Sequence, residues 1–350
     1  MRLASAPAFN VGRLRSGILA VDMALAGGFL ISRGHMLYGH KSAGKSTLSL
    51  IYAKCMQRMF PDMTVVYLDV EGTFDPAWAI KLGVDITRLL VVEPESGEHA
   101  VDLADAVIRA AETSMLIVDS IAMLTPMKEI TDSAEQSLPG IHARLMGNML
   151  RRATNALLQE RHRGHTPTIM YLNQFRMSIG VTFGDPRVIP GGQALGFAVT
   201  QQMELSNKEQ YANKKERFEQ KTKKGLGAQE KVEALSADDA PKLQSVIANE
   251  HTFKVTKDKT GGRIKEGMFR IIRDESTGKP VGFVDQANTI IQVGLMTGQF
   301  TGSKQSFDIP DFGNFRGAPA LTEKFISDPE VQDIIVDRLV GFYREKWNVT

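Results

Sequence analysis

The run Gly39-His40-Lys41-Ser42-Ala43-Gly44-Lys45-Ser46, continued by Thr47, constrains this chain more than any other feature. Its spacing is G-x-x-x-x-G-K-[ST], and its flanks carry the matching periodicities. The apolar stretch His35–Tyr38 enters it as a strand, and Ser46–Phe60 leaves it with helical spacing. The glycines let the backbone curl so that successive N–H groups turn inward, and the helix start adds its positive end. A loop of this kind cradles phosphate oxygens. Lys45 is placed to reach the outer phosphates, and Ser46 to offer its hydroxyl to Mg²⁺.

Strands and helices continue to alternate beyond this loop. Further strands are predicted at Thr64–Asp69, Met115–Asp119, Thr168–Leu172, Gln201–Leu205 and Thr252–Thr256, all short, apolar and bounded by turn residues. Helices are predicted at Pro76–Leu82, Glu98–Thr113 and Ile141–His162. Asp75-Pro76 supplies the first of these with an N-cap and a proline at its first position. In the last, Ile141, Leu145, Met149 and Ala156 recur at helical spacing. Such alternation predicts an α/β fold with a mainly parallel twisted sheet flanked by helices on both faces.

Composition narrows the class further. At 350 residues the chain is long enough for about two domains, or one large domain with an appendage. Hydrophobic residues at 43% and charged residues at 23% exclude a disordered, collagen-like or coiled-coil chain. No apolar run reaches the roughly 18 residues of a membrane helix, and Asp22 and Arg33 break the richest stretch. The opening residues lack the apolar core of a signal peptide. Cys55 is the single cysteine, which excludes a disulfide framework and a cysteine-rich zinc site. A soluble cytoplasmic protein with no membrane partner is expected. The net charge of +2 requires any nucleic-acid surface to come from local clustering.

Three segments are expected: a short N-terminal piece over 1–11, a core over 12–284, and a small α-rich domain over 285–350. Lys208 to Lys224 holds seven basic and three acidic residues, and the chain stays polar to about 245. This predicts a charged insertion over about 207–245, a helical excursion or an arm rather than core. Phe300–Ala320, rich in Gly, Ser and Pro, reads as a linker. Asp328-Pro329 then caps a helix to about Lys346, with Val331, Ile334, Ile335, Leu339 and Phe342 on its apolar side.

Two carboxylates join the phosphate loop. The apolar strand Met115–Val118 ends in Asp119, the form expected of a strand that holds the Mg²⁺ shell. On its own, such an aspartate is equally a helix N-cap. Glu71 follows the strand Thr64–Val70. Its position suits either a group that polarises an attacking water or a solvated loop edge.

Several longer stretches carry a family resemblance. Leu68-Asp69-Val70-Glu71-Gly72-Thr73-Phe74-Asp75-Pro76, then Lys81-Leu82-Gly83-Val84-Asp85, resembles the bacterial RecA recombinase family. So do Val118-Asp119-Ser120-Ile121-Ala122-Met123-Leu124-Thr125-Pro126 and Asn173-Gln174-Phe175-Arg176-Met177-Ser178-Ile179-Gly180-Val181. The resemblance runs from about Gly12 to about Lys346. It implies a P-loop ATPase core of that type, with ATP and Mg²⁺ bound between subunits. It makes Glu71 the water-activating base, sets Asp75 and Trp78 against the adenine, and makes Gln174 the sensor of the terminal phosphate. Lys257 and Lys259 fall where the family reaches across to the neighbouring subunit's ATP.

The same resemblance implies a DNA-dependent ATPase that coats single-stranded DNA as a helical filament, pairs it with duplex DNA and exchanges strands. Two loops would touch DNA. One spans about Lys128 to Gly140 and leads into a helix carrying Arg144 and Arg151. The other spans Phe175 to Gln193, with Arg176, Ile179, Phe183, Arg187, Gly191 and Gly192. Arginines there neutralise phosphates, glycine N–H groups approach the backbone, and Ile179 wedges between bases.

The chain also departs from the family at several positions. His40-Lys41 replaces a proline-glutamate pair, Pro139 a wedge methionine, Gln193 an asparagine, and Arg187 an acidic residue. No counterpart of the family's N-terminal polymerisation helix or acidic tail is legible. Residues 207–245 are expected either to replace a polymerisation contact or to hold duplex DNA. Two other functions share the same core residues: a ring-forming, helicase-like motor, and an accessory DNA-binding module with little turnover.

Overall fold

The structure, a computed structural model, describes residues 12–131, 140–177, 187–211 and 245–347. A small antiparallel pair, β1 (Arg13–Leu14) and β2 (Phe29–Leu30), brackets helix α1 (Leu19–Ala24). The chain then runs through β3 (Gly34–Gly39), α2 (Lys45–Met59), β4 (Thr64–Asp69), α3 (Pro76–Lys81), β5 (Leu89–Val92) and α4 (Gly97–Arg109). It continues with β6 (Thr113–Asp119), α5 (Met127–Thr131), α6 (Ile141–Arg163), β7 (Thr168–Gln174), β8 (Arg176–Met177) and β9 (Arg187–Val188). Last in the core come α7 (Gly192–Ala198), β10 (Gln201–Tyr211), β11 (Val246–Asp258) and β12 (Glu266–Ile272).

Eight of these strands form one sheet in the order β12-β11-β10-β3-β7-β6-β4-β5. The six from β10 to β5 are parallel, and β11 and β12 add an antiparallel edge. The expected α/β architecture with a mainly parallel sheet is therefore present. Residues alternate between two cores, as the two-residue strand period demands. Leu37, Val65, Tyr67, Met115, Ile117, Met170 and Leu172 face one side, where α2 packs Leu48, Ile51, Tyr52 and Met56. Met36, Val66, Leu68, Leu116, Val118, Ile169 and Tyr171 face the other, under α4 and α6. Helices on both faces bury central strands completely, which is why those strands read as continuous apolar runs.

The differences from expectation have local causes. The helix expected to reach Thr113 ends at Arg109, because Thr113 is already a buried residue of β6. β5 and β12 had not been anticipated: β5 is a four-residue edge strand with Leu90 exposed, and β12 opens on Glu266. β10 and β11 run well past the predicted strands as an antiparallel ladder. Beyond Leu205 β10 no longer pairs with β3, and Ser206–Gln210 are all polar, so that stretch carries no apolar alternation to read. Lys208–Tyr211 thus belong to a strand, where a helical excursion was expected. Residues 212–244 lie outside the described residues.

A third cluster gathers Leu19 with the C-terminal elements. The predicted linker Phe300–Ala320 is instead a three-stranded sheet (Thr301–Gly302, Phe307–Ile309, Gly313–Phe315) followed by a helix, Gly317–Ser327. Phe300, Phe307 and Ile309 are buried there, and a bond from Ser303 N to the Ser306 carbonyl closes the first turn, so the segment is no tether. The helix predicted from Pro329 runs to Lys346 and buries Val331, Ile335 and Leu339, joined by Val336 and Val340. Ile334 is exposed instead. Among the described residues no helix is long and apolar enough to cross a membrane.

One buried group on β3 has a measurable consequence. His35 is fully buried, its Nε2 2.7 Å from the Leu30 carbonyl and its ring 4.5 Å from Phe29. Burial pushes its pKa down to about 4, against the pull of that carbonyl. The folded chain therefore keeps it neutral where the unfolded chain takes up a proton, below about pH 6.5. Stability falls as pH drops through this window, by at most about 1.4 kcal/mol per unit from this residue. Urea unfolding between pH 4 and 6.5 should show a slope about one proton shallower in His35→Phe than in the parent. Equal slopes would mean that His35 does not titrate this way.

Candidate active site

The phosphate loop spans the gap between the end of β3 and the start of α2. Gly44 takes a left-handed φ of 95° as the residue before α2, and Ser42 shares that region at 60°. Only a glycine fits at 39: a Cβ there would lie 2.1 Å from the Leu205 carbonyl oxygen on neighbouring β10. Lys45 is buried, and its Nζ donates to the His40 carbonyl at 2.8 Å. Burial lowers its pKa, while Asp119 and Glu71 pull it back up. Ser46 Oγ donates to Asp119 Oδ2 at 2.6 Å, and the Tyr67 hydroxyl donates to the same oxygen. Burial raises the Asp119 pKa, and these two hydrogen bonds oppose the rise.

β3, β7, β6 and β4 lie side by side, so their carboxyl ends form one row. Along it stand the phosphate loop, Gln174, Asp119 and Glu71. Crevices at such strand ends are where open α/β sheets bind ligands. Glu71 Oε1 accepts from Ser120 Oγ at 2.6 Å and from Gln174 Nε2 at 2.5 Å. Donors from two different strand ends thus fix one carboxylate oxygen. The oxygens of Ser46 and Asp119 are a donor set suited to a hard cation such as Mg²⁺.

Asp75 caps α3, its carboxylate accepting from Trp78 N at 3.1 Å. The indole N–H of Trp78 donates to Thr47 Oγ1 at 3.1 Å, and the Arg273 guanidinium lies 4.0 Å from the ring centre. A cavity of about 280 Å³ is lined by Ser42–Thr47 together with Asn207, Glu209, Asn249, His251 and Arg273. Of the other loop residues, the His40 ring lies tilted against Phe175 (5.1 Å between ring centres), and Lys41 is exposed.

Lys257 and Lys259 are not brought to this loop. β10 pairs Leu205 with Gly39 and Gln201 with His35, and β11 pairs Lys257 with Gln202. Lys257 therefore sits toward the opposite end of the sheet, about 10 Å from the level of Gly39 at strand rise, and Lys259 lies farther still. Lys257 Nζ donates to the Val199 and Gly196 carbonyls of its own chain, and Lys259 is exposed.

The expected nucleic-acid residues divide into two groups. Arg144 and Arg151 lie with Asn148 on the exposed face of α6, opposite Leu145, Met149 and Leu150. Two residues after Gln174, β8 begins and pairs with β9 as the stem of the second loop. Arg176 Nη2 donates to the Ala122 carbonyl at 2.5 Å, and Arg187 lies over the Phe175 ring and 3.3 Å from Glu204. Gly191 precedes α7 with φ 91°, and a Cβ there would meet Met146 at 2.5 Å. Gly192 opens α7. Ile179, Phe183 and Pro139 lie outside the described residues.

Sequence reading missed Tyr67, Ser120, Asn173, His251 and Arg273. Tyr67 was findable, since it precedes Asp69 by two and so shares its strand face. Asn173 donates to the Pro190 carbonyl at 2.9 Å and pins the return of the second loop. His251 and Arg273 carry no local signal, because the antiparallel return of β11 and β12 alone puts them beside the loop.

Comparison with known proteins agrees with this geometry. A family model for the RecA N-terminal domain matches residues 1–234. Protein RecA of Bifidobacterium breve is 38% identical over 333 residues, covering 93% of this chain and 74% of that protein. Protein RecA of Bifidobacterium longum (strain NCC 2705) matches with the same identity and coverage. Protein RecA of Francisella tularensis subsp. novicida (strain U112) is 33% identical over 280 residues, covering 79% of this chain and 68% of that protein. A phosphate loop, a row of acidic strand ends and a match of this extent lead to one conclusion: the chain belongs to the RecA family.

Proposed function

We propose that this chain is an ATP-dependent recombinase that coats single-stranded DNA as a helical filament, pairs it with duplex DNA and exchanges strands. The observation that carries this reading is the hydrogen bond between Gln174 and Glu71, two residues before the stem of the second loop. It ties the hydrolytic carboxylate to the segment that would touch DNA.

The residues divide the work as follows. The loop N–H groups and Lys45 hold the triphosphate of ATP. Ser46 and Asp119 would hold Mg²⁺, which when bound screens phosphate charge. Glu71 takes a proton from the water that attacks the terminal phosphorus, as the bond to the bridging oxygen breaks. Trp78 offers a flat face to the base, with Asp75 at its helix start. Gln174 exchanges its bond to Glu71 for one to the terminal phosphate, and loses that bond after hydrolysis. The β8–β9 stem is thereby biased between two states. Lys257 and Lys259, remote from their own loop, act on the neighbouring subunit's ATP. A head-to-tail contact of that kind that does not close builds a helix. Arg144, Arg151, Arg176 and Arg187 neutralise DNA phosphates, Gly191 and Gly192 let the backbone approach, and Ile179 and Phe183 meet the bases. Residues 12–284 act as the ATPase core, and 285–350 as a small C-terminal domain.

Negative-stain electron microscopy on circular single-stranded DNA tests this. Extended helical filaments are expected with a non-hydrolysable ATP analogue and should be lost with ADP. Closed rings or bare DNA would overturn the filament and leave the motor core in another assembly.

A further inference from the structure

The cavity wall opposite the phosphate loop contains one side chain that grips the loop itself. His251 sits on β11, paired in register with Asn207 of β10. It is buried, with 2% of its surface exposed. Its Nδ1 is 3.1 Å from the Ala43 carbonyl oxygen. Its ring covers Gly44 so closely that a Cβ there would lie 2.4 Å from Cε1 and Nδ1. On its other side it stacks on Phe269 of β12, with 5.0 Å between ring centres and 28° between planes.

These contacts have a directional consequence. A carbonyl accepts, so Nδ1 must carry the hydrogen. A trans peptide points its C=O and the following N–H in opposite directions. Fixing the Ala43 carbonyl on His251 therefore turns the Gly44 N–H away from β11. Gln174, Asp119 and Glu71, the groups that would flank a bound phosphate, stand at the ends of strands on that side of β3. The Phe269 stack sets the ring plane, and the ring fills the space that the absent Gly44 side chain leaves. We propose that His251 is a positioning residue that locks the phosphate loop in its anion-binding conformation from the neighbouring antiparallel strand. The proposal rests on the reading of this loop as a triphosphate site. His251 stays neutral while it does this, because burial and nearby Arg273 push its pKa down to about 4, against the pull of the Ala43 carbonyl.

The role is one of ground-state binding, so it should appear in affinity rather than turnover. His251→Phe keeps a ring on Phe269 and over Gly44 but removes the donor. His251→Asn loses the stack but places an amide N–H close to where Nδ1 stands. The full-length chain with single-stranded DNA is titrated with ATP, and inorganic tripolyphosphate serves as competitor. His251→Phe is expected to raise the KM for ATP about tenfold, with kcat at saturation unchanged. It should weaken tripolyphosphate by the same factor, because the loop and not the base is disturbed. His251→Asn should return both values to within about twofold of the parent, although its melting temperature falls. Parent-like affinities in His251→Phe would overturn the proposal. So would a His251→Asn variant as weak as His251→Phe, which would leave ring packing as the whole effect. Lys45→Ala separates the underlying reading: if it binds tripolyphosphate like the parent, the triphosphate site itself is wrong, whatever His251 does.

Discussion

Glu71→Gln is expected to lower DNA-stimulated phosphate release by at least about 100-fold while leaving ATP-dependent assembly on single-stranded DNA intact. The substitution preserves shape. The amide oxygen of glutamine can still accept from Ser120 Oγ and Gln174 Nε2, the two donors that hold Glu71 Oε1 at 2.6 and 2.5 Å. What it loses is the ability to take a proton from water. Rate and assembly should therefore separate: steady-state phosphate release measures the first, and filaments formed with ATP itself measure the second. Filaments should outlast those of the parent, since the event that releases them is slowed. A rate within a few-fold of the parent would move the base elsewhere. Loss of both rate and assembly would make Glu71 a structural strut for Gln174 and nothing more.

The residues legible in the sequence were those whose role depends on near neighbours in the chain. The phosphate loop announces itself because strand, turn and helix are contiguous. Asp119 ends, and Glu71 closely follows, strands whose apolar runs are local signals. Asp75 was read as a cap from the Asp-Pro pair, and its carboxylate does accept from Trp78 N. What stayed hidden depends on which strands become neighbours. Tyr67 reaches Asp119 because β4 pairs with β6, and His251 reaches Ala43 because β11 folds back beside β10. The outer half of β10 was invisible for another reason: Ser206–Gln210 are all polar, so the alternation that marks a strand is absent. Between Phe300 and Ala320 the same composition that suggests a tether also suits the tight turns of a small sheet. The arginines were legible as charges but not as commitments. Arg176 spends a hydrogen bond on Ala122, and Arg187 is shared with Phe175 and Glu204.

Lys45→Ala should remove the function altogether, and its effect on stability tells why. Lys45 is buried at the head of α2, and among the described residues its ammonium donates to two carbonyls of its own loop, at 2.8 and 3.4 Å. Burial costs such a cation part of its hydration, which is why its pKa lies below the ordinary lysine value despite Asp119 and Glu71. Without nucleotide, the alanine variant therefore gives up little, and its melting temperature should match or exceed the parent's. With nucleotide the comparison reverses. A ligand at 100 times its Kd stabilises a protein by about 2.7 kcal/mol, which amounts to several degrees in a chain of this size. The parent should show that shift with ATP and Mg²⁺, and Lys45→Ala should show none. Its DNA-stimulated phosphate release should fall to background, and filaments with the non-hydrolysable analogue should disappear. Lys45→Arg should not rescue, because a planar guanidinium is too large for a site closed by Gly39 and His40. A Lys45→Ala chain that melts far below the parent without nucleotide would mean that the lysine props up the loop rather than binding phosphate. One that loses the ATP shift but keeps the filaments would reduce the chain to a DNA-binding module, with an intact phosphate loop that it does not use.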